Sequence, residues 1–355
     1  MSEEAKWIDF REAGFRMPPE WHPHSATWLA WPHNRETWPR NLSEAREEFW
    51  QLVLAISHDE PVCLVADCSQ GDAIAELQRR ISKQGLKNVQ LVDIPTNDAW
   101  LRDYGPIFCT EPSGQRLAVL DWQYNAWGGK YPPFDDDQQF VDRLLGHEQG
   151  PTVSLHSRSP LCLEGGAIEI DESGLLLCTT RCALDPNRNP NLDPAVVTAQ
   201  LQKDLGASKV IWLRGDSLIG DDTDGHIDQL ARFTPSGSIL YAWADPSDPQ
   251  HAGLAGNLDD LKQTLHEAEI RKELVALPLP DPVFFENTRL PASYCNFYIT
   301  NGSVIVPQFE VPQDATALQI IGRQFPGYQT IGLPSRNLSV GLGSFHCLTQ
   351  QQPRG

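Results

Sequence analysis

The chain has 355 residues, 40% of them hydrophobic, enough for a sizeable core in one large domain or two. Its formal net charge of −19 argues against nucleic acid and anionic membrane surfaces as partners. No stretch approaches the roughly 18 apolar residues needed to span a bilayer, and the acidic, polar start "MSEEAKWIDF" lacks the basic and apolar regions of a secretory signal, so a cytoplasmic protein is expected.

In chain order, "SATWLAW" (25–31) suggests a strand. Two helices, near 43–57 and 72–84, and two strands, near 61–66 and 88–94, follow it. Four hairpins come next. "GPIFCTEPSGQRLAVLDW" turns at Pro112-Ser113-Gly114, "GAIEIDESGLLLCTT" at Glu172-Ser173-Gly174, and "HIDQLARFTPSGSILYAWA" at Pro235-Ser236-Gly237. "NFYITNGSVIVPQF" carries Asn301-Gly302, the strongest short hairpin signal. Each hairpin is followed by an amphipathic stretch and then an apolar run. In the second unit Val197, Leu201 and Leu205 recur at helical spacing, with Gly206 as a stop, before "KVIWLRG".

The repeating unit is therefore hairpin, helix, strand: ββαβ. "SFHCLT", near the C-terminus, reads as a strand with no following chain to pair it. Pairing it with residues 25–31 closes a fifth, split unit, one helix and one strand richer than the others. The expected fold is α/β: a closed ring of five ββαβ units in a single domain spanning residues 1–355. Alternating elements also suit a doubly wound fold, but four hairpins disfavour a mostly parallel sheet.

The eight cysteines, Cys63, Cys68, Cys109, Cys162, Cys178, Cys182, Cys295 and Cys347, form no Cys-x-x-Cys pair and have no histidine cluster at zinc-ligand spacing. All but one are expected to be small buried residues in a reducing compartment. The exception is Cys347. Unusual polar groups gather where each hairpin begins: "WLRDYGP" (100–106), "LEGG" (163–166), "DDTDGHID" (221–228) and "FHC" (345–347). Equivalent places in a ring converge on its axis, which would bring Asp103, Glu164, His226, Asp228 and Cys347 together. Strand alternation would put His226 and Asp228 on one face, and His346 and Cys347 on opposite faces, making His346 a poor base for the cysteine. Several carboxylates around a thiol suit a cationic, planar group such as a guanidinium, which carboxylates bind bidentately.

These motifs resemble the agmatine deiminase family, within the wider guanidine-modifying superfamily. The likeness runs through "MPPEWHPHSATWLAWP" (17–32), "WLRDYGPIF" (100–108), "NAWGGKYPPFDDD" (125–137), "LEGGAIEID" (163–171), "LDPNRNP" (184–190), "GDDTDGHIDQLARF" (220–233) and "HCLTQQQP" (346–353). The resemblance implies a five-bladed ββαβ propeller that hydrolyses agmatine to N-carbamoylputrescine and ammonia through a covalent amidino-cysteine, with no cofactor and no metal. It implies Cys347 as nucleophile, His226 as general acid and base, and Asp103 and Asp228 as guanidinium-binding carboxylates. Trp100 becomes a pocket tryptophan and Asp222 an acid near the distal amine; Glu164, in a matching motif, is assigned to substrate binding. A homo-oligomer is implied as well. Departures from the family pattern fall at Tyr104 and at Leu342, Ser344 and Phe345 of the cysteine loop, where an altered pocket wall is expected. Arg102 and Arg232 are expected to be structural, leaving no clear cation for the carboxylate of free arginine. Three alternatives stay open: a deiminase of free or peptidyl arginine, a cysteine amidase or protease using Cys347 and His226, and a non-catalytic polyamine-binding propeller.

Overall fold

The computed structural model describes residues 6–67, 69, 71–216 and 218–354. Five sheets share one pattern, an antiparallel pair extended by a parallel strand. The first joins Ile107–Thr110, Leu117–Gln123 and Leu155–Cys162. The second joins Ile168–Ile170, Leu175–Thr179 and Lys209–Leu213. The third joins Ala231–Phe233, Ile239–Trp243 and Leu274–Pro278. The fourth joins Tyr298–Ile299, Ser303–Gln308 and Gln329–Pro334. A small hairpin of Phe284–Phe285 and Thr288–Arg289 stands apart.

The fifth sheet joins the two ends of the chain. Thr349–Pro353 runs antiparallel to His24–Ala30, which runs parallel to Val62–Ala66 and on to Val89–Asp93. Helix Leu42–Asp59 and strand Val62–Ala66 thus complete a ββαβ unit. Helix Gly71–Gln84 and edge strand Val89–Asp93 are the additional pair.

Local chemistry explains these elements. In helix Pro194–Leu205, proline occupies the first turn, where its missing N–H costs nothing, and the Asp193 side chain caps the N-terminus by accepting from Ala195 N. Val197, Leu201 and Leu205 are buried on one face, and Gly206 ends the helix at φ 65°. The hairpin turns at Gly114, Gly174 and Gly237 likewise use left-handed glycines, at φ 66°, 80° and 87°. Three buried apolar clusters fill the space between sheets and helices.

One expectation needs correction. The segments before each hairpin are not strands but short helical turns: Leu101–Tyr104, Gly165–Ala167, Ile227–Gln229, Tyr294–Asn296 and Phe345–Leu348. Strand alternation therefore does not apply to His226 and Asp228, nor to His346 and Cys347. The strand expected at 344–349 begins only at Thr349. Each turn touches the next: the first the second, the second the third, the third the fourth, the fourth the fifth, and the fifth the first. Of the cysteines, Cys63 is half-buried, six others are buried, all seven are free thiols, and Cys68 lies outside the described residues.

Candidate active site

A cavity of about 730 Å³ opens onto the first and fifth helical turns. Cys347 and Asp103 lie at its base, with Trp100, Trp127, Lys130, Tyr131, Asp222 and Leu342 among its walls. The turn Leu101–Tyr104 aims Asp103 inward. Its Oδ1 accepts from Gly166 N at 3.0 Å and its Oδ2 from Trp127 Nε1 at 2.9 Å. Trp127 reaches Asp103 from a run of left-handed residues, with Ala126 at φ 53° and Trp127 itself at φ 56°. Such strain in non-glycine residues concentrates at functional sites.

Gly166 explains the "EGG" motif. A Cβ there would lie 2.6 Å from His226 Nδ1, 2.8 Å from Asp103 Oδ1 and 3.0 Å from Asp228 Oδ2. Three polar side chains from two turns thus close on one point, and only glycine leaves them room. His226 Nδ1 and Asp228 Oδ1 are buried with no hydrogen-bond partner among the described residues. Buried polar atoms are rarely left so in a resting fold; His226 Nδ1 lies 3.7 Å from Asp103 Oδ1, and Asp228 reaches Cys347 through its other oxygen.

Asp228 is fully buried. Its Oδ2 lies 2.8 Å from His346 Nδ1 and 3.4 Å from Cys347 Sγ. His346 Nε2 lies 2.7 Å from Glu20 Oε1. With a carboxylate oxygen on each ring nitrogen, the row Glu20–His346–Asp228 needs two protons for its two hydrogen bonds, one more than a neutral imidazole carries. Arg102 and Arg232 pair with Glu20, and Arg232 also pairs with Glu169, so both arginines are structural, as expected.

The two carboxylates titrate differently. Burial pushes Asp103 up to about 6, with Asp228 and Glu164 adding repulsion and His226 partly offsetting it. Burial acts on Asp228 too, but the hydrogen bond and charge of His346 outweigh it and hold the carboxyl below its usual range. For His226, burial favours the neutral ring, yet Asp103, Cys182 and Glu164 raise it well above 6.5. Burial, Asp228 and Asp103 push the Cys347 thiol well up.

The remaining expected residues divide. Trp100 lines the cavity, and its ring is covered by the cysteine loop. A Cβ on Gly343 would overlap that ring, and one on Gly341 would lie 2.7 Å from it. Asp222 is on the wall, where Tyr131 donates to its carboxylate. Glu164 is not on the wall. It is fully buried behind His226, 3.3 Å from Nε2, and accepts from Arg188 Nε at 2.8 Å. Tyr104 is also away from the cavity, packed on Tyr124 and Phe140 with its hydroxyl on Asp98 O. Leu342 is on the wall, at a left-handed φ of 71°. Sequence reasoning assigns no role to Glu20, Trp127, Arg188 or Asn296. Each sits in or beside a polar motif, but only the fold shows that their partners are more than 20 residues away.

The sequence profile of the Porphyromonas-type peptidyl-arginine deiminase family matches residues 16–353. The chain belongs to this family. Agmatine deiminase of Pseudomonas putida is 35% identical, over 97% of this chain and 96% of that protein. Among solved structures, agmatine deiminase of Enterococcus faecalis superposes with a TM-score of 0.85 at 30% identity, over 99% of this chain and 100% of the other. A cysteine-to-serine variant of the C. jejuni agmatine deiminase, solved with substrate bound, gives 0.84 at 29% identity, over 96% and 97% of the two chains. The mixed α/β fold of this family member is thus that of solved agmatine deiminases. No helix among its described residues is long and apolar enough to cross a membrane.

Proposed function

We propose that this family member hydrolyses the guanidinium of agmatine to N-carbamoylputrescine and ammonia through a covalent cysteine adduct. The observation that carries the proposal is the convergence of Asp103, His226 and Asp228 on Gly166 beside Cys347, with two buried polar atoms unpartnered among the described residues. A planar cation with several N–H groups supplies the donor missing at Asp228 Oδ1, while a protonated His226 turns its free Nδ1–H toward the same place. The closed order of contacts among the five turns supports a single-domain, five-bladed propeller with this site on its axis.

In this scheme Asp103 and Asp228 hold the guanidinium, and its positive charge offsets the repulsion that keeps Cys347 a thiol. The thiol proton passes to solvent as substrate enters. The thiolate attacks the guanidinium carbon, forming a C–S bond. Protonated His226, held by Glu164, gives its proton to one nitrogen, and ammonia leaves. Water then loses a proton to His226 and attacks the amidino-cysteine. Collapse breaks the C–S bond, frees the thiolate and releases the urea product, with the hydroxyl proton going to solvent.

Asp222, with its carboxylate on the wall, suits the distal amine of agmatine. Free arginine is the second reading, because Lys130 and Arg35 also line the cavity. Lys130 Nζ is already bound 2.7 Å from Asp224, which leaves Arg35, exposed at the mouth, to meet a carboxylate. The test is ammonia release from agmatine, arginine and a blocked arginyl peptide. Release from agmatine, lost in Cys347→Ala, is expected. Full turnover by Cys347→Ala would sink the scheme.

A further inference from the structure

The fourth helical turn, Tyr294–Asn296, has no part in the scheme above, yet it touches the nucleophile. Asn296 is fully buried, and its Nδ2 lies 3.1 Å from Cys347 Sγ. Its Oδ1 accepts from His346 N at 3.1 Å and from Cys347 N at 3.4 Å. Backbone N–H groups can only donate, so the oxygen must face them. The amide cannot be flipped, and its NH₂ is thereby fixed on the sulfur.

The sulfur's other polar side-chain contact is unfavourable to an anion. Asp228 Oδ2 lies 3.4 Å away, with Asp103 also across the cavity floor. A thiolate there needs a donor that brings no second negative charge. Among the described residues, Asn296 is the one side chain in hydrogen-bond contact with Sγ that can only donate to it through that contact. A neutral amide also leaves the site's charge unchanged, so it does not compete with the guanidinium for Asp103 and Asp228.

We propose that Asn296 is a catalytic residue, whose side-chain amide donates a hydrogen bond to the Cys347 thiolate while fixing the backbone that carries it. The role rests on the deiminase reading for its effect on turnover, but not for its effect on the thiol itself. Two readouts separate the two. One is kcat and KM for agmatine. The other is the pH profile of Cys347 alkylation by iodoacetamide, followed on the Cys347 peptide by mass spectrometry, which needs no turnover.

Asn296→Ala should lower kcat on the order of 10- to 100-fold with KM little changed, the loss of one hydrogen bond to a charged group. The alkylation profile should move to higher pH. Asn296→Asp keeps an oxygen for the two backbone amides and removes the donor. It should lose turnover at least as far, and it decides the question if Asn296→Ala does not fold. Parental turnover and an unmoved alkylation profile in either folded variant would overturn the proposal. So would an Asn296→Asp that stays active while Asn296→Ala fails, because that pattern assigns Asn296 to backbone positioning alone. If the parent releases no ammonia from any guanidine, the deiminase reading falls, and the alkylation profile still decides the contact.

Discussion

The two carboxylates that face each other across the site are built in opposite ways. Asp103 is held by neutral donors, the Gly166 amide and the Trp127 indole, and its pKa rises to about 6. Asp228 is backed by His346, Glu20 and the buried arginines behind them, and its pKa falls below the ordinary range. One is a fixed anion supported by a charged network. The other becomes an anion at a cost that a bound cation would offset. A site built this way makes the second half of its charge conditional on pH and substrate.

Neutralising each carboxylate is the strongest way to break this contrast. Asp103→Asn and Asp228→Asn should each lower kcat/KM for agmatine by roughly 10²-fold or more, since a buried charge pair loses one partner. Their effects on stability should have opposite signs. Asp103 binds its proton more tightly in the folded state, so its charge costs stability in full above about pH 6, and the cost shrinks as pH falls from there to the ordinary carboxylate value of 3.8. Thermal melts at pH 8 should show Asp103→Asn more stable than the parent, by at most about 3 kcal/mol less the roughly 1–3 kcal/mol lost where its NH₂ faces the Gly166 or Trp127 N–H, with the gain shrinking below pH 6. Asp228 contributes stability above the usual carboxylate range, lost only as pH falls through its lowered pKa, so Asp228→Asn should melt earlier at neutral pH. Two melts shifting the same way would end the distinction.

Smaller changes sharpen it. His346→Gln removes the group that holds Asp228 low. It should reduce kcat/KM on the order of tenfold and move the acid limb of its pH profile upward. In the parent, that limb should reflect Asp103, with KM for agmatine rising as pH falls below about 6. Trp127→Phe deletes one neutral donor to Asp103 and should raise KM several-fold, shifting its pH dependence the same way. Leu342→Gly should have the least effect on folding. It relieves a left-handed backbone strain of about 1 kcal/mol and deletes a half-buried side chain, so the melting temperature should move only a few degrees while KM changes.

Much of this architecture is legible in the sequence. The three turns ending in glycine, the helical spacing of Val197, Leu201 and Leu205, and the split fifth unit all follow from local rules. So does the gathering of Asp103, His226, Asp228 and Cys347, because repeated units place equivalent residues together. What local rules miss is the backbone at those places. Segments of three or four residues have no periodicity to distinguish a helical turn from a strand. Second partners are also invisible. Glu20 meets His346 across 326 positions and Asn296 meets Cys347 across 51, and no spacing pattern encodes such pairs. Asn296 does not stand out because a lone asparagine carries no charge and no metal-ligand signature. Tyr104 is expected to alter the pocket wall because it departs from the family pattern, whereas a helical turn sends successive side chains in different directions and carries it away from the cavity.

The pairing of Thr349–Pro353 with His24–Ala30 has a consequence for the chain as it is made. Cys347 lies two residues before the strand that completes the first-synthesised sheet. All of the preceding sheets must leave the ribosome before Cys347 can be seated, so its sulfur is the last piece to reach the cavity and truncated nascent chains carry none.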